Sequence, residues 1–213
     1  MNTKGRLSMA AVSRGKRTHD LVPTAADPER RLPGTPRELY DSLPELPNLK
    51  IEFIGGRMVV SPSGTPEHAD QAMSLARALF PAADKQAWRV WTGMVGVCLE
   101  GSRDMVIPDL VVAPRDAPRW GRRELLSSGL ILVAEVVSPG SARDDRELKP
   151  GAYASGGVPV MILIDPECSP ARITVFSDPD EGRYRTSSSV ELGDKIHIPA
   201  PADLLLDTSV LDD

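Results

Sequence analysis

An α/β (α+β) domain with a mixed central β-sheet flanked by helices is the fold class this sequence predicts, on three observations. The stretch LKIEFIGGRMVVSP (49–62) is two alternating runs joined by Gly55-Gly56, a dipeptide that supplies the positive φ a tight hairpin turn needs. Residues 130–165 read as apolar strand, helix, apolar strand, a crossover unit that implies locally parallel pairing. Thr65-Pro66 opens a helix in which Ala69, Ala72, Met73, Ala76, Leu79 and Phe80 recur at helical spacing.

The elements follow in order along the chain. Residues 1–31 have no period and carry a net charge of +4, so they read as a disordered basic tail ahead of a folded domain, 32–213. Thr35-Pro36 offers an N-cap and a proline at the first helical position, opening a short helix through about Leu43. The hairpin comes next, then the helix from Thr65, which is expected to end near Pro81. Strands are expected at about 88–99 and 106–113, and again at 130–137. The helix over SARDDRELKPGAYAS is stopped by Gly156-Gly157, with a kink or early break at Pro150, and VPVMILID (158–165) returns as a strand. The remainder is a hairpin turning at Pro179–Gly182 followed by an irregular apolar segment.

Composition bounds the function. With 213 residues, 41% of them hydrophobic, the chain has enough apolar material for one sizeable core. A net charge of −5 means that the surface as a whole does not attract phosphates, and any nucleic-acid contact must be local. Cys98 and Cys168 have neither zinc-ligand spacing nor a disulfide framework and read as packing residues of a reducing cytoplasm. No apolar run reaches the roughly 18 residues that cross a bilayer, and no signal-peptide core follows the basic start, so a cytoplasmic protein without a membrane partner is expected.

The chemistry begins with LILVAEVVSPG (130–140), where Glu135 interrupts an otherwise apolar strand. A buried ionised carboxylate costs several kcal/mol unless cations or donors compensate it. Asp109, at the mouth of the neighbouring strand in MVIPDLVVAP, supplies a second acid, and two such acids can share one hard divalent cation. Asp145, Lys149 and Tyr153 stand at i, i+4 and i+8 on the following helix; the plain reading of the first two is a surface ion pair. Glu52 alternates with Ile51 and Phe53, which taken alone puts it on a solvent face, and His68 reads as a polar residue in the first turn of its helix. The loop PRDAPRWGRRE sets Arg115, Arg119, Arg122 and Arg123 around Trp120, a basic segment with one stacking surface, partly offset by Asp116 and Glu124.

In this order, KIEFIGGRMVVSPSGTPEH, PDLVV and AEVVSPGSARDDRELKPGAYASGGVPVMILIDP resemble the Uma-two type of restriction-endonuclease-like proteins, a branch of the PD-(D/E)xK nuclease superfamily, over most of residues 36–207. The superfamily's lysine two residues after the glutamate is replaced here by Val137, and in this branch its counterpart is Lys149 on the following helix. The resemblance implies a restriction-endonuclease-like core and Mg²⁺- or Mn²⁺-dependent hydrolysis of phosphodiester bonds in nucleic acid, DNA first. It implies that Asp109 and Glu135 hold the metal and that Lys149 contacts the phosphate or orients the attacking water. Asp145 would position Lys149, Glu52 would reach a second ion, and His68 would touch substrate. Arg119, Arg122 and Arg123 would grip the nucleic-acid backbone, and a homodimer would cut two strands. Two other readings stand beside it: a catalytically inactive module of the same fold that binds nucleic acid or a protein partner, and a metal-dependent hydrolase of some other phosphate.

Overall fold

The computed structural model describes residues 34–44, 49–62 and 64–211, so the basic stretch 1–31 lies outside the described residues. Helix α1 (Pro36–Asp41) starts where the Thr35 side chain accepts a hydrogen bond from the Glu38 amide. Strands β1 (Leu49–Ile54) and β2 (Arg57–Pro62) form the expected antiparallel hairpin, with Gly55 and Gly56 at φ of 58° and 76° in the turn.

Helix α2 (Pro66–Lys85) is capped by Thr65 and continues past Pro81, where the sequence suggested an end. Pro81 lies on the exposed side, and the last turn is retained because Ala83 is buried against the core. The buried stripe is Ala72, Leu75, Ala76, Leu79 and Ala83; Ala69, Met73 and Phe80, expected on that face, are exposed. The apolar face is thus rotated from the one the sequence suggested.

The single strand expected at 88–99 is two, β3 (Trp88–Thr92) and β4 (Gly96–Cys98), separated at Gly93 and Met94, both with positive φ, and placed in different sheets. The strand expected at 106–113 is likewise two, β5 (Met105–Val106) and β6 (Leu110–Pro114), divided at Pro108-Asp109, where proline has no N–H to give a ladder. The arginine-rich loop forms β7 (Arg119–Trp120) and β8 (Glu124–Leu126), and the apolar opening strand is β9 (Leu132–Val136). A π-helical turn, Asp144–Leu148, precedes α3 (Lys149–Ser155), and this is the form the expected break at Pro150 takes. Strand β10 (Val160–Asp165) pairs parallel to β9, as expected of the crossover. Strands β11 (Arg172–Asp180) and β12 (Arg183–Glu191) form the late hairpin. The segment expected to be irregular is a further hairpin, β13 (Lys195–Ile198) and β14 (Leu204–Asp207).

The fold is mixed α+β, but its strands divide between two six-stranded sheets rather than one central sheet, with β13 and β14 forming a small third. One six-stranded sheet runs β12-β11-β10-β9-β6-β3 and the other β2-β1-β5-β4-β8-β7, each with one parallel pair. Alternation along the first sheet sorts its residues into two cores. Leu110, Val112, Leu132, Ala134 and Ile162 face α2 and its neighbours, while Val111, Val133, Val137, Met161 and Leu163 face the second sheet and α3. The second face carries the acids. Among the described residues no helix is long and apolar enough to cross a membrane.

Candidate active site

Strand register brings the two sequence-predicted acids together. Leu110 pairs with Ala134, so the next position along each strand sets Asp109 against Glu135, on the same face as Val111 and Val133. Asp109 Oδ2 accepts a hydrogen bond from the Val136 amide at 2.9 Å. Lys149 then enters from α3. Its Nζ stands 2.8 Å from Asp145 Oδ1, 2.9 Å from Glu135 Oε2 and 3.7 Å from Glu52 Oε2, and its side chain is 4% exposed. The expected surface ion pair of Asp145 and Lys149 is therefore buried and joined to Glu135. The Tyr153 hydroxyl, one turn further on, donates to Glu135 Oε1 at 2.5 Å. Ser141 in turn donates to Asp145 Oδ2 at 2.5 Å.

The first hairpin closes the other side. Glu52, read from sequence as solvent-facing, is 2% exposed, and its Oε1 accepts from the Ile107 amide at 2.7 Å. Pairing of β1 with β5 turns this face inward, an effect of tertiary structure that alternation cannot reveal. Lys50, two residues earlier and so on the same face, was not singled out by sequence. Its Nζ lies 3.3 Å from Asp109 Oδ1, 3.9 Å from Glu135 Oε2 and 4.0 Å from Glu52 Oε1. The available signal was the i, i+2 spacing from Glu52. His68 sits in the first turn of α2, with Nε2 3.0 Å from Asp109 Oδ2.

The arginines of the 114–124 segment are not part of this cluster. Arg119, Arg122 and Arg123 are exposed on the β7–β8 hairpin, and the Trp120 ring carries the Arg103 guanidinium 4.1 Å from its centroid. Arg123 lines a cleft of about 1000 Å³ that reaches Lys50, His68 and Asp109, whereas Arg119 and Arg122 do not line it.

Electrostatics follow from this crowding. Four carboxylates, Glu52, Asp109, Glu135 and Asp145, meet two ammoniums and one imidazole. Burial pushes the Glu135 carboxyl up to about 8, and Lys149 and Lys50 offset only part of that rise. Burial acts the same way on Asp109, but the His68 hydrogen bond and the Lys50 ammonium outweigh it and hold Asp109 below the ordinary carboxylate range. Burial would lower the Lys149 ammonium, yet Glu135, Glu52 and Asp145 raise it well above its usual value. The Tyr153 hydroxyl is driven up by burial and by Glu135, so it stays a donor.

Glu135 Oε2 is fully buried and accepts no well-aligned hydrogen bond; its neighbours are the Lys149 and Lys50 ammoniums, at 2.9 and 3.9 Å. Among the described residues no three His, Cys, Asp or Glu side chains converge to enclose an ion. An ion at the Asp109–Glu135 pair would have to complete its shell with water and substrate oxygens, the manner in which Mg²⁺ is commonly bound.

A solved structure has this fold: that of a "putative nuclease belonging to DUF820" from Anabaena variabilis, with a TM-score of 0.66 and 18% identity, covering 84% of this chain and 97% of that one. No curated protein matches the sequence. The profile of the Uma2 family, described as "Putative restriction endonuclease", matches residues 37–209, a span that includes every member of the cluster. The chain belongs to the Uma2 family.

Proposed function

We propose that this protein is a metal-dependent endonuclease of the PD-(D/E)xK type, hydrolysing phosphodiester bonds of nucleic acid, with DNA as the expected substrate and Mg²⁺ or Mn²⁺ as the cofactor. The observation that carries the reading is the placing of Asp109 and Glu135 opposite each other on adjacent strands, with Asp109 lining a cleft and Lys149 2.9 Å from Glu135. Membership of a family described as restriction endonucleases supports it. Asp109 and Glu135 would hold the cation, which when bound lowers the pKa of its water and neutralises charge on the scissile phosphate.

The chain's own groups do the rest. The Val136 amide and His68 fix the Asp109 carboxylate, and Tyr153 fixes Glu135 so that Oε2 faces the cluster. Lys149, itself oriented by Asp145, offsets the charge of the acids. Glu52 borders both lysines and is the candidate for a second ion. Arg123 is placed to meet a backbone running along the cleft, and Arg119 and Arg122 would contact it beyond the cleft wall. A homodimer, as the family resemblance implies, would set one such site on each strand of a duplex.

The test is incubation of supercoiled plasmid and of single strands with the protein in Mg²⁺, Mn²⁺ or chelator. Metal-dependent nicking supports the endonuclease. Binding without cleavage in any metal would overturn it in favour of a module of the same fold that holds nucleic acid without turnover.

A further inference from the structure

We propose that Lys50, rather than Lys149, is the lysine that meets the substrate's phosphate in the cleft, and that Lys149 is a positioning residue behind the carboxylates. The inference rests on the nuclease reading above and deepens it. Both ammoniums stand among the same acids, but their access differs. The Lys50 side chain is 19% exposed and that of Lys149 is 4% exposed. Lys50 lines the cleft together with His68 and Asp109, whereas Lys149, Glu52 and Glu135 are not among its lining residues.

The way each ammonium is held points the same way. Lys149 stands 2.8 Å from Asp145, 2.9 Å from Glu135 and 3.7 Å from Glu52, so its charge is engaged by carboxylates of which none lines the cleft. Lys50 makes one long hydrogen bond, to Asp109 Oδ1 at 3.3 Å, and its other carboxylate contacts, at 3.9 and 4.0 Å, lie well beyond the roughly 2.7–2.9 Å of a charge-assisted hydrogen bond. An ammonium held that loosely, on a four-carbon stem rooted in a strand paired on both sides, can exchange a carboxylate for a phosphate oxygen. A phosphodiester entering the cleft meets the Asp109 carboxylate on its wall, with Glu52 and Glu135 behind it, and Lys50, within 4.0 Å of all three, is the ammonium that lines the cleft there.

Binding of fluorescein-labelled single-stranded and duplex 20-mers in Ca²⁺, measured from 50 to 300 mM NaCl, tests the assignment. One lost phosphate contact should lower the slope of log K against log salt by about 0.7–0.9 and weaken binding similarly for unrelated sequences. Lys50→Met is expected to do this, and Lys50→Arg to restore the slope. Lys149→Met is expected to keep the parent slope while lowering Tm more than Lys50→Met, because it strands buried acids. An unchanged slope in Lys50→Met, or a slope lost in Lys149→Met alone, would overturn the assignment while leaving the nuclease reading intact. A parent protein that binds neither strand form would overturn both. Circular dichroism of Lys50→Met checks that the variant is folded, and Lys50→Gln gives a second variant if it is not.

Discussion

Glu135 has no solvent around it and too few partners, and this sets how the cluster responds to pH and to cations. Its pKa rises from the ordinary 4.5 to about 8, so between those values the folded state holds a proton that the unfolded state has released. The stability that this proton represents is fully present below about pH 4.5 and is lost as pH rises toward 8. The metal-free protein should therefore show a falling contribution to Tm from pH 5 to pH 8, and Glu135→Gln should flatten that slope; a profile unchanged by the substitution would contradict the burial argument. A bound cation would displace the same proton, so Mn²⁺ affinity should rise from pH 6 to pH 8 with proton release detectable in weakly buffered solution. Tyr153→Phe removes the hydroxyl that donates to Glu135 Oε1, a loss worth about 1–3 kcal/mol for a buried acceptor. Urea unfolding would measure it, and a change within error would mean that the hydroxyl does not hold the carboxylate.

At the scale of elements, the sequence showed most where period and caps are long and least where strands are short. The β1–β2 hairpin, the start of α2, the β9–α3–β10 crossover and the β11–β12 hairpin were all legible, because alternating runs, Thr-Pro caps and glycine turns act locally. Strands β4, β5, β7 and β8 have two or three residues each, too few to carry a period, so the second sheet was invisible beyond its β1–β2 hairpin. The same gap hid Lys50 and the burial of Glu52, since only pairing of β1 with β5 turns their face toward Asp109 and Glu135. Asp109 and Glu135 stood out as acids beside apolar runs, whereas the i, i+4 spacing of Asp145 and Lys149 showed that they pair but not that the pair is buried beside Glu135; only the resemblance pointed there. The rotated face of α2 gives a direct check. Leu75→Ala, at a fully buried position, should cost about 2–5 kcal/mol by urea unfolding. Phe80→Ala, at a position 44% exposed, should cost about 1 kcal/mol or less. The reverse ranking would favour the face suggested by sequence.

For the whole molecule, a net charge of −5 and a cleft with Asp109 on its wall are poor attractants for a polyanion, so affinity must come from a few local cations and from any metal bound there. Weak, strongly salt-dependent binding in chelator that tightens in divalent metal is the expected behaviour. That expectation, and the account of the site, turn on whether Asp109 and Glu135 share a cation. Calorimetric titration of Mn²⁺ into the parent protein, Asp109→Asn and Glu135→Gln measures this directly. The account predicts saturable binding by the parent and an affinity lower by about tenfold or more in each folded variant, since either change removes one of two ligand charges. Unchanged Mn²⁺ affinity in both variants would contradict it.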